Sequence, residues 1–408
     1  MEIPGRAKWA LGVLLAINLL NYLDRQVLYS LLPLIKSELG ATDAQLGALA
    51  SAFMLVYMCA APVVGYLADR SSRVGWIASG VGFWSVATVF SGLAGSFGQL
   101  FAARAAVGIG ESFYGSVSPS FVAEYFPKSL RARILAVFSM AIPVGSALGY
   151  VLGGAVGFHW GWRNAFYLAG IPGFLLALLA LSLQDPHKLA KTERPKPAQL
   201  REYATMVRNR SLVMSTLSMA AMTFGLGAFA VWMPTYFTRA WSMNVAEAGR
   251  LFGILTVLGG LIGSLAGGWL ADYVLRFNSR AYFLVSGLGL LAAFPLACLT
   301  LSLSSLPAAV AALLACEICV FLNMGPLNAV IVSVTSPKIR SMAFAANIFV
   351  IHALGDAASP TIVGYISDLT SLRTGLLFAS AWLALAGCCC FAGMRFMDGD
   401  ARLVEAHD

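Results

Sequence analysis

The sequence predicts an all-α polytopic membrane protein, with twelve transmembrane helices in two pseudosymmetric six-helix bundles. Three observations lead there. Of the 408 residues, 59% are hydrophobic and only 11% charged, whereas a soluble domain carries about 25% charged residues; the surplus apolar surface has to face lipid. Twelve segments reach the roughly 20 mostly apolar residues that a helical span needs. The second six spans also repeat marks of the first six at matching positions.

In chain order, the expected spans are 9–32, 44–67, 74–94, 98–122, 133–156, 163–183, 211–237, 246–272, 280–302, 306–334, 340–366 and 373–395. Arg6 and Lys8 precede the first apolar run. That run is too long for a signal peptide and no small-residue cleavage site follows, so it reads as a retained span. The one long connection, Gln184 to Arg210, holds Pro186, Pro195, Pro197 and seven basic residues. The expected organisation is therefore an N-terminal bundle over 1–183, a cytoplasmic linker over 184–210 and a C-terminal bundle over 211–408.

Orientation follows from Lys and Arg. With the N-terminus inside, 20 of the 27 fall in inner segments, 5 in outer loops, and Arg25 and Arg104 lie within spans. Such a bias places both termini in the cytoplasm, and the expected location is the cell's inner (plasma) membrane. The net charge of +8 is then a topology signal. A nucleic-acid footprint would need a basic patch on a folded polar face, and the sequence offers none.

The two halves echo one another. Gly65-Tyr-Leu-Ala-Asp69 ends the second span and Gly268-Trp-Leu-Ala-Asp272 ends the eighth. Gly115 and Gly325, Pro127 and Pro337, and Gly145 and Gly355 share one offset of 210. Parallel repeats of this kind are frequent in transporters. Gly145, Gly149 and Gly153, and likewise Gly259, Gly263 and Gly267, recur every four residues. Small residues at that spacing let helices approach closely, and we read them as a seam between the halves. The seven cysteines all lie in apolar stretches and read as small hydrophobes. Cys316 and Cys319 lack the second ligand pair of a zinc site, so no metal or cofactor is expected.

Two parallel halves with G-x-L-A-D-R-x-x-R from Gly65 to Arg73 resemble the major facilitator superfamily, although Ser72 stands where glycine is common and Val74 where a basic residue is common. Asn21-Tyr-Leu-Asp-Arg25, Arg104-x-x-x-Gly108-Ile-Gly-Glu111-Ser112 and the run Ala141 to Tyr150, followed by Gly153-Gly154, resemble the Spinster family. That family is linked to lipids such as sphingosine-1-phosphate and lysophospholipids. The resemblance covers the whole chain in outline and is densest over 18–165. The long tails of animal relatives are missing, which fits a bacterial member. The implied fold is the major facilitator fold, with spans one and four bordering a central cavity.

A charge near the bilayer centre costs about 2.5–3.5 kcal/mol on insertion scales, so it needs a partner, water or a neutral form. Asp24 and Glu111 each fall near the middle of their spans. Arg104 lies two turns from Glu111 on one face, and Asn18, Asn21 and Arg25 form a stripe at helical spacing. Neighbours Asp24 and Arg25 point about 100° apart, which disfavours their pairing with each other. Burial disfavours an ionised carboxylate and a nearby arginine favours it. Asp24 and Glu111 are therefore the proton-coupling candidates. Arg25 and Arg104 are counter-charges or contacts for an anionic substrate group, with Asn18, Asn21 and Tyr114 beside them. The alternative is a set of static ion pairs.

The second half offers Glu317 and His352, with Asp356 nearby and no arginine in its spans. His352 is either titratable near neutral pH or a packing residue. Phe224, Phe229, Trp232, Met233, Tyr236 and Phe321 suit an apolar chain and equally suit lipid contact. At the inner mouth, Asp69, Arg70 and Arg73, mirrored by Asp272 with Arg131 and Arg133, read as a cytoplasmic gate or as plain topology signals. In the family, the equivalent of the first set ties span two to span eleven.

The expected function is a proton-coupled secondary active transporter working by alternating access, acting as a monomer and moving an amphipathic lipid-like molecule. A proton-coupled drug or organic-anion carrier is the alternative. A membrane-embedded lipid-modifying enzyme would need H-E-x-x-H, G-x-S-x-G or clustered histidines, and none occurs.

Overall fold

The computed structural model describes residues 4–68, 70–185, 206–336 and 339–405. Its helices are α1 (Gly5–Leu39), α2 (Asp43–Ala68), α3 (Arg73–Leu93), α4 (Phe97–Glu124), α5 (Lys128–Ser139), α6 (Ala141–Trp160) and α7 (Trp162–Leu181), then α8 (Arg210–Ala240), α9 (Val245–Leu275), α10 (Ala281–Ser302), α11 (Leu306–Phe321), α12 (Met324–Ser333), α13 (Arg340–Ile351), α14 (Ser359–Leu369), α15 (Leu372–Gly393) and α16 (Met397–Glu405). A π-helical turn, His352–Asp356, joins α13 to α14.

All twelve expected spans are present, and three of them are broken. The fifth is α5 plus α6, the tenth α11 plus α12, and the eleventh α13 plus α14. Each break lies just ahead of a proline: Pro143, Pro326 and Pro360. Proline has no N–H for the carbonyl four residues earlier and its ring crowds that carbonyl, which here belongs to Ser139, Leu322 or Asp356. Among the described residues, ten spans are long and apolar enough to cross a membrane by composition alone. The two that miss this criterion are α1 and α4, whose apolar runs Asp24, Arg25, Arg104 and Glu111 interrupt.

Helix ends are set locally. The side chains of Ser72, Ser96 and Ser371 accept hydrogen bonds from the backbone N–H groups of Gly75, Gln99 and Thr374, satisfying donors that a helix start leaves open. Gly40 ends α1 in the left-handed conformation, with φ 64°, which glycine adopts without a Cβ clash.

The chain forms two compact units: residues 1–194 with 233–254, and residues 195–232 with 255–408. In the first, α1 packs along α6, α2 along α4, and α3 against both α4 and α7. Residues 233–254, the C-terminal end of α8 and the N-terminal part of α9, belong to this unit. In the second, α10 packs against α11 and α15.

The two glycine ladders work inside the units and do not form the seam expected from their spacing. A Cβ on Gly145 would stand 2.7 Å from the Leu19 carbonyl oxygen, and Gly149 and Gly153 likewise face Leu23 and Val27, so the ladder lays α6 directly on α1. Gly259, Gly263 and Gly267 bring α9 onto Glu317, Ile318 and Leu322 at the α11 end. Periodicity revealed a close approach but not its partner.

Candidate functional site

The four charges in α1 and α4 form two crossed ion pairs. Arg104 Nη1 donates to Asp24 Oδ1 at 3.0 Å, and Arg25 Nε donates to Glu111 Oε2 at 2.7 Å. Asp24 and Arg25 are adjacent on α1, whereas Arg104 and Glu111 stand about 10 Å apart along α4 at 1.5 Å per residue. The two long arginine side chains, one from each helix, span that mismatch. The cluster is neutral as a whole, which is what allows four ionised groups to sit inside a membrane helix bundle.

The pairs are not equivalent. The Asp24 side chain has no solvent exposure and that of Arg104 has 1%. Both Asp24 oxygens are engaged, because Thr88 Oγ1 donates to Oδ2 through a short hydrogen bond. Glu111 is equally buried, yet its Oε1 has no partner. Its cation, Arg25, is 15% exposed. The Arg25 guanidinium lies among three rings, 5.1 Å from Tyr22, 4.8 Å from Phe53 and 5.2 Å from Tyr57. Two further buried groups are unpaired in the same region, Arg104 Nε and Asn21 Nδ2. Buried orphans of this kind mark a place for water or for a transferable proton.

The polar stripe of α1 divides by role. Asn18 donates to the Phe138 carbonyl at the end of α5, while Asn21 stays beside the charges. The Tyr114 hydroxyl donates to the Leu14 carbonyl at 2.7 Å, and its ring meets Trp84 edge-on; it fastens α4 to α1 and α3. Thr88 was not legible in the sequence. Ser85, Thr88 and Ser91 look alike along the third span, but Ser85 and Ser91 turn back to carbonyls of their own helix, and only Thr88 reaches across.

In the second unit, Glu317 is 6% exposed and its Oε2 is unpartnered. Gly259 makes the room: a Cβ there would lie 2.8 Å from that oxygen. His352 Nδ1 meets Asp356 Oδ1 at 2.9 Å within the π-helical turn, where Gly355 departs from helical geometry. Phe224, Phe229 and Trp232 are buried, so neither lipid nor an open apolar wall is their environment. Phe224 stacks on Trp382 with ring centroids 4.2 Å apart, and Trp232 Nε1 donates to the Pro360 carbonyl. Met233 and Tyr236 are also buried, and Phe321 is half-buried.

Of the residues expected at a gate, Asp69 lies outside the described residues. Arg73 is held by Glu124 at 2.7 Å and Asp185 at 2.5 Å, tying the start of α3 to the ends of α4 and α7. Arg70 caps its own helix at the Tyr66 carbonyl, Arg131 donates to the Phe126 carbonyl, and Arg133 and Asp272 are exposed. The opposite end of the first unit carries a bridge that the sequence does not announce. The buried Asp43 takes Lys36 at 2.5 Å and Arg239 at 2.6 Å, joining the end of α1, the start of α2 and the end of α8. Among the described residues, no group of three His, Cys, Asp or Glu is placed to hold a metal ion.

The family model of the Major Facilitator Superfamily matches residues 14–360. Protein spinster of Drosophila melanogaster is 33% identical over 380 residues, covering 89% of this chain and 62% of that protein, so the chain spans under two thirds of that relative's length. A sphingosine-1-phosphate transporter of Xenopus tropicalis is 33% identical over 382 residues, 90% of this chain and 74% of the relative. Among solved structures, a bacterial homologue of the human lysosomal transporter Spinster, in an inward-facing and unoccupied conformation, superposes with a TM-score of 0.85 at 23% identity, covering 97% of this chain and 98% of that one. A D-xylose–proton symporter does so with a TM-score of 0.76 at 17% identity, over 96% and 97%. At those identities the two structures establish the shared fold. With the fold, the crossed charges of α1 and α4, and these likenesses together, the chain belongs to the major facilitator superfamily and, within it, to the Spinster family.

Proposed function

We propose that this protein is a proton-coupled secondary active transporter that moves an amphipathic, lipid-like molecule, of lysophospholipid or sphingoid-phosphate type, by alternating access. Both termini face the cytoplasm and the protein resides in the inner membrane. The observation that carries the coupling is the inequality of the two ion pairs. Asp24 is closed on both oxygens by Arg104 and Thr88 and acts as a standing counter-ion. Glu111 keeps Oε1 unpartnered beside a partly exposed arginine and carries the proton.

When Oε1 takes a proton, the Glu111–Arg25 contact changes from an ion pair to a hydrogen bond between an acid and a cation. The site then holds a net positive charge on the more exposed arginine, which is suited to an anionic head group. Deprotonation restores the pair and expels that group. Moving one proton through 100 mV supplies about 2.3 kcal/mol, and each pH unit about 1.4 kcal/mol, enough for such a switch. Glu317 and His352 are the contacts we assign to the second half. Asp69, Arg70, Arg73, Arg131, Arg133 and Asp272 are the proposed inner gate, with Arg73 its fixed anchor. The likeness to the sphingosine-1-phosphate transporter of Xenopus tropicalis supports a lipid phosphate as cargo.

The test is flux into liposomes across a panel of lysophospholipids, sphingoid phosphates and organic-anion dyes, with and without an imposed pH gradient. Gradient-dependent uptake of a lysolipid or sphingoid phosphate supports the reading. Uptake of dyes alone moves the assignment to an organic-anion carrier, and uptake indifferent to the gradient removes the coupling.

A further inference from the structure

The proton reading leaves Tyr22, Phe53 and Tyr57 without a task. We infer that these three rings are positioning residues that hold the Arg25 guanidinium against Glu111 and thereby set the pH at which Glu111 exchanges its proton; the inference rests on the assignment of Glu111 as carrier. Arg25 comes from α1 and Glu111 from α4, but two of the rings come from α2. Phe53 and Tyr57 stack on one another, with centroids 6.1 Å apart, and present their faces to the guanidinium. The carboxylate bonds only Nε, a single contact that leaves the rest of the guanidinium to the three rings and to the Tyr57 hydroxyl, which also interacts with it. Cation–π attraction grows as the cation loses water, and the Arg25 side chain keeps only 15% of its surface exposed.

Few other charges compete for this control. Asp24 and Arg25 face Glu111 from α1, and Arg104 from its own helix. From α2 the ionisable side chains are Tyr57 itself and Cys59, with Asp43 and Tyr66 nearer the two ends of the helix, and α5, which also packs on α4, carries Arg131 and Arg133 near its start. The one charged residue of α3 is Arg73, committed at the inner end to Glu124 and Asp185. Loosening the rings lets the cation drift from the carboxylate, so the ionised form loses support and the proton binds at higher pH.

Infrared titration of the substrate-free protein in liposomes reads this directly. The protonated-carboxyl band that disappears in Glu111→Gln belongs to Glu111. In Tyr57→Leu and in Phe53→Leu its midpoint moves upward by about half a pH unit or more, while Tyr57→Phe, which keeps the ring and gives up only the hydroxyl's interaction with Arg25, moves it less than Tyr57→Leu does. An unmoved midpoint in both leucine variants overturns the positioning role and leaves the carrier assignment standing. Absence of any titrating band sensitive to Glu111→Gln overturns the carrier assignment, and this inference with it.

Discussion

Replacing Glu111 by Gln removes one negative charge and the proton-accepting oxygen while keeping the volume and an amide oxygen for Arg25 Nε. Two magnitudes follow. Breaking a buried ion pair costs about 3–5 kcal/mol when the surviving charge is fully enclosed. Arg25 is 15% exposed and surrounded by three rings, so the loss of stability is expected nearer 1–3 kcal/mol, a discount that reflects solvent access and cation–π support. The functional effect is larger. For one proton per substrate, each pH unit of gradient sustains about a tenfold difference in substrate concentration. In Glu111→Gln that difference collapses to about one, while exchange of labelled for unlabelled substrate across the membrane persists, because exchange does not require net proton movement. The assay is accumulation and exchange of one lysolipid in the same liposomes, with folded protein quantified by thermal melting. A Glu111→Gln protein that still accumulates substrate tenfold per pH unit refutes the reasoning.

Asp24→Asn is expected to be the more destabilising change, by about 3–5 kcal/mol, since Arg104 is fully enclosed; a lower melting temperature than Glu111→Gln in the same detergent checks it, and equal melting contradicts the ranking. Thr88→Val leaves Asp24 Oδ2 without its donor and should cost about 1.5–3 kcal/mol, read as a fall in melting temperature that Thr88→Ser largely avoids. At the end of α1, Arg163 and then Trp162 hold the Glu38 carboxyl below its ordinary value. A depressed carboxylate contributes stability above its unfolded pKa and loses it as pH falls through the folded one. Melting temperature should therefore drop on acidification below about pH 4, and Glu38→Gln should lack that part of the drop.

The twelve spans were legible because length and apolarity are one-dimensional properties. The breaks in the fifth, tenth and eleventh spans were not legible: Pro143, Pro326 and Pro360 lie beside them, but Pro33, Pro62, Pro119, Pro172, Pro234 and Pro295 sit inside helices that continue unbroken. The four charges were legible because charge in an apolar run is costly wherever the run folds. Their crossed pairing was not, because helical periodicity assigns a residue to a face and says nothing of how far an arginine reaches across to another helix. Thr88 was hidden for the same reason: Ser85, Thr88 and Ser91 differ only in which neighbour each hydroxyl meets. Asp43 was passed over because it begins a span, where carboxylates are commonplace, and its burial between Lys36 and Arg239 depends on three helix ends meeting. The glycine ladders showed the opposite failure, a correct local property joined to the wrong neighbour.

The central claim is that movement of an amphiphile and movement of a proton are one event in this protein. The most direct measurement is reciprocal: wild-type liposomes with an entrapped pH dye receive a labelled lysophosphatidylcholine or sphingoid phosphate with no gradient imposed. The account predicts that substrate entry changes the internal pH and that Glu111→Gln abolishes the change. Substrate entry with a constant internal pH in the wild type would contradict it.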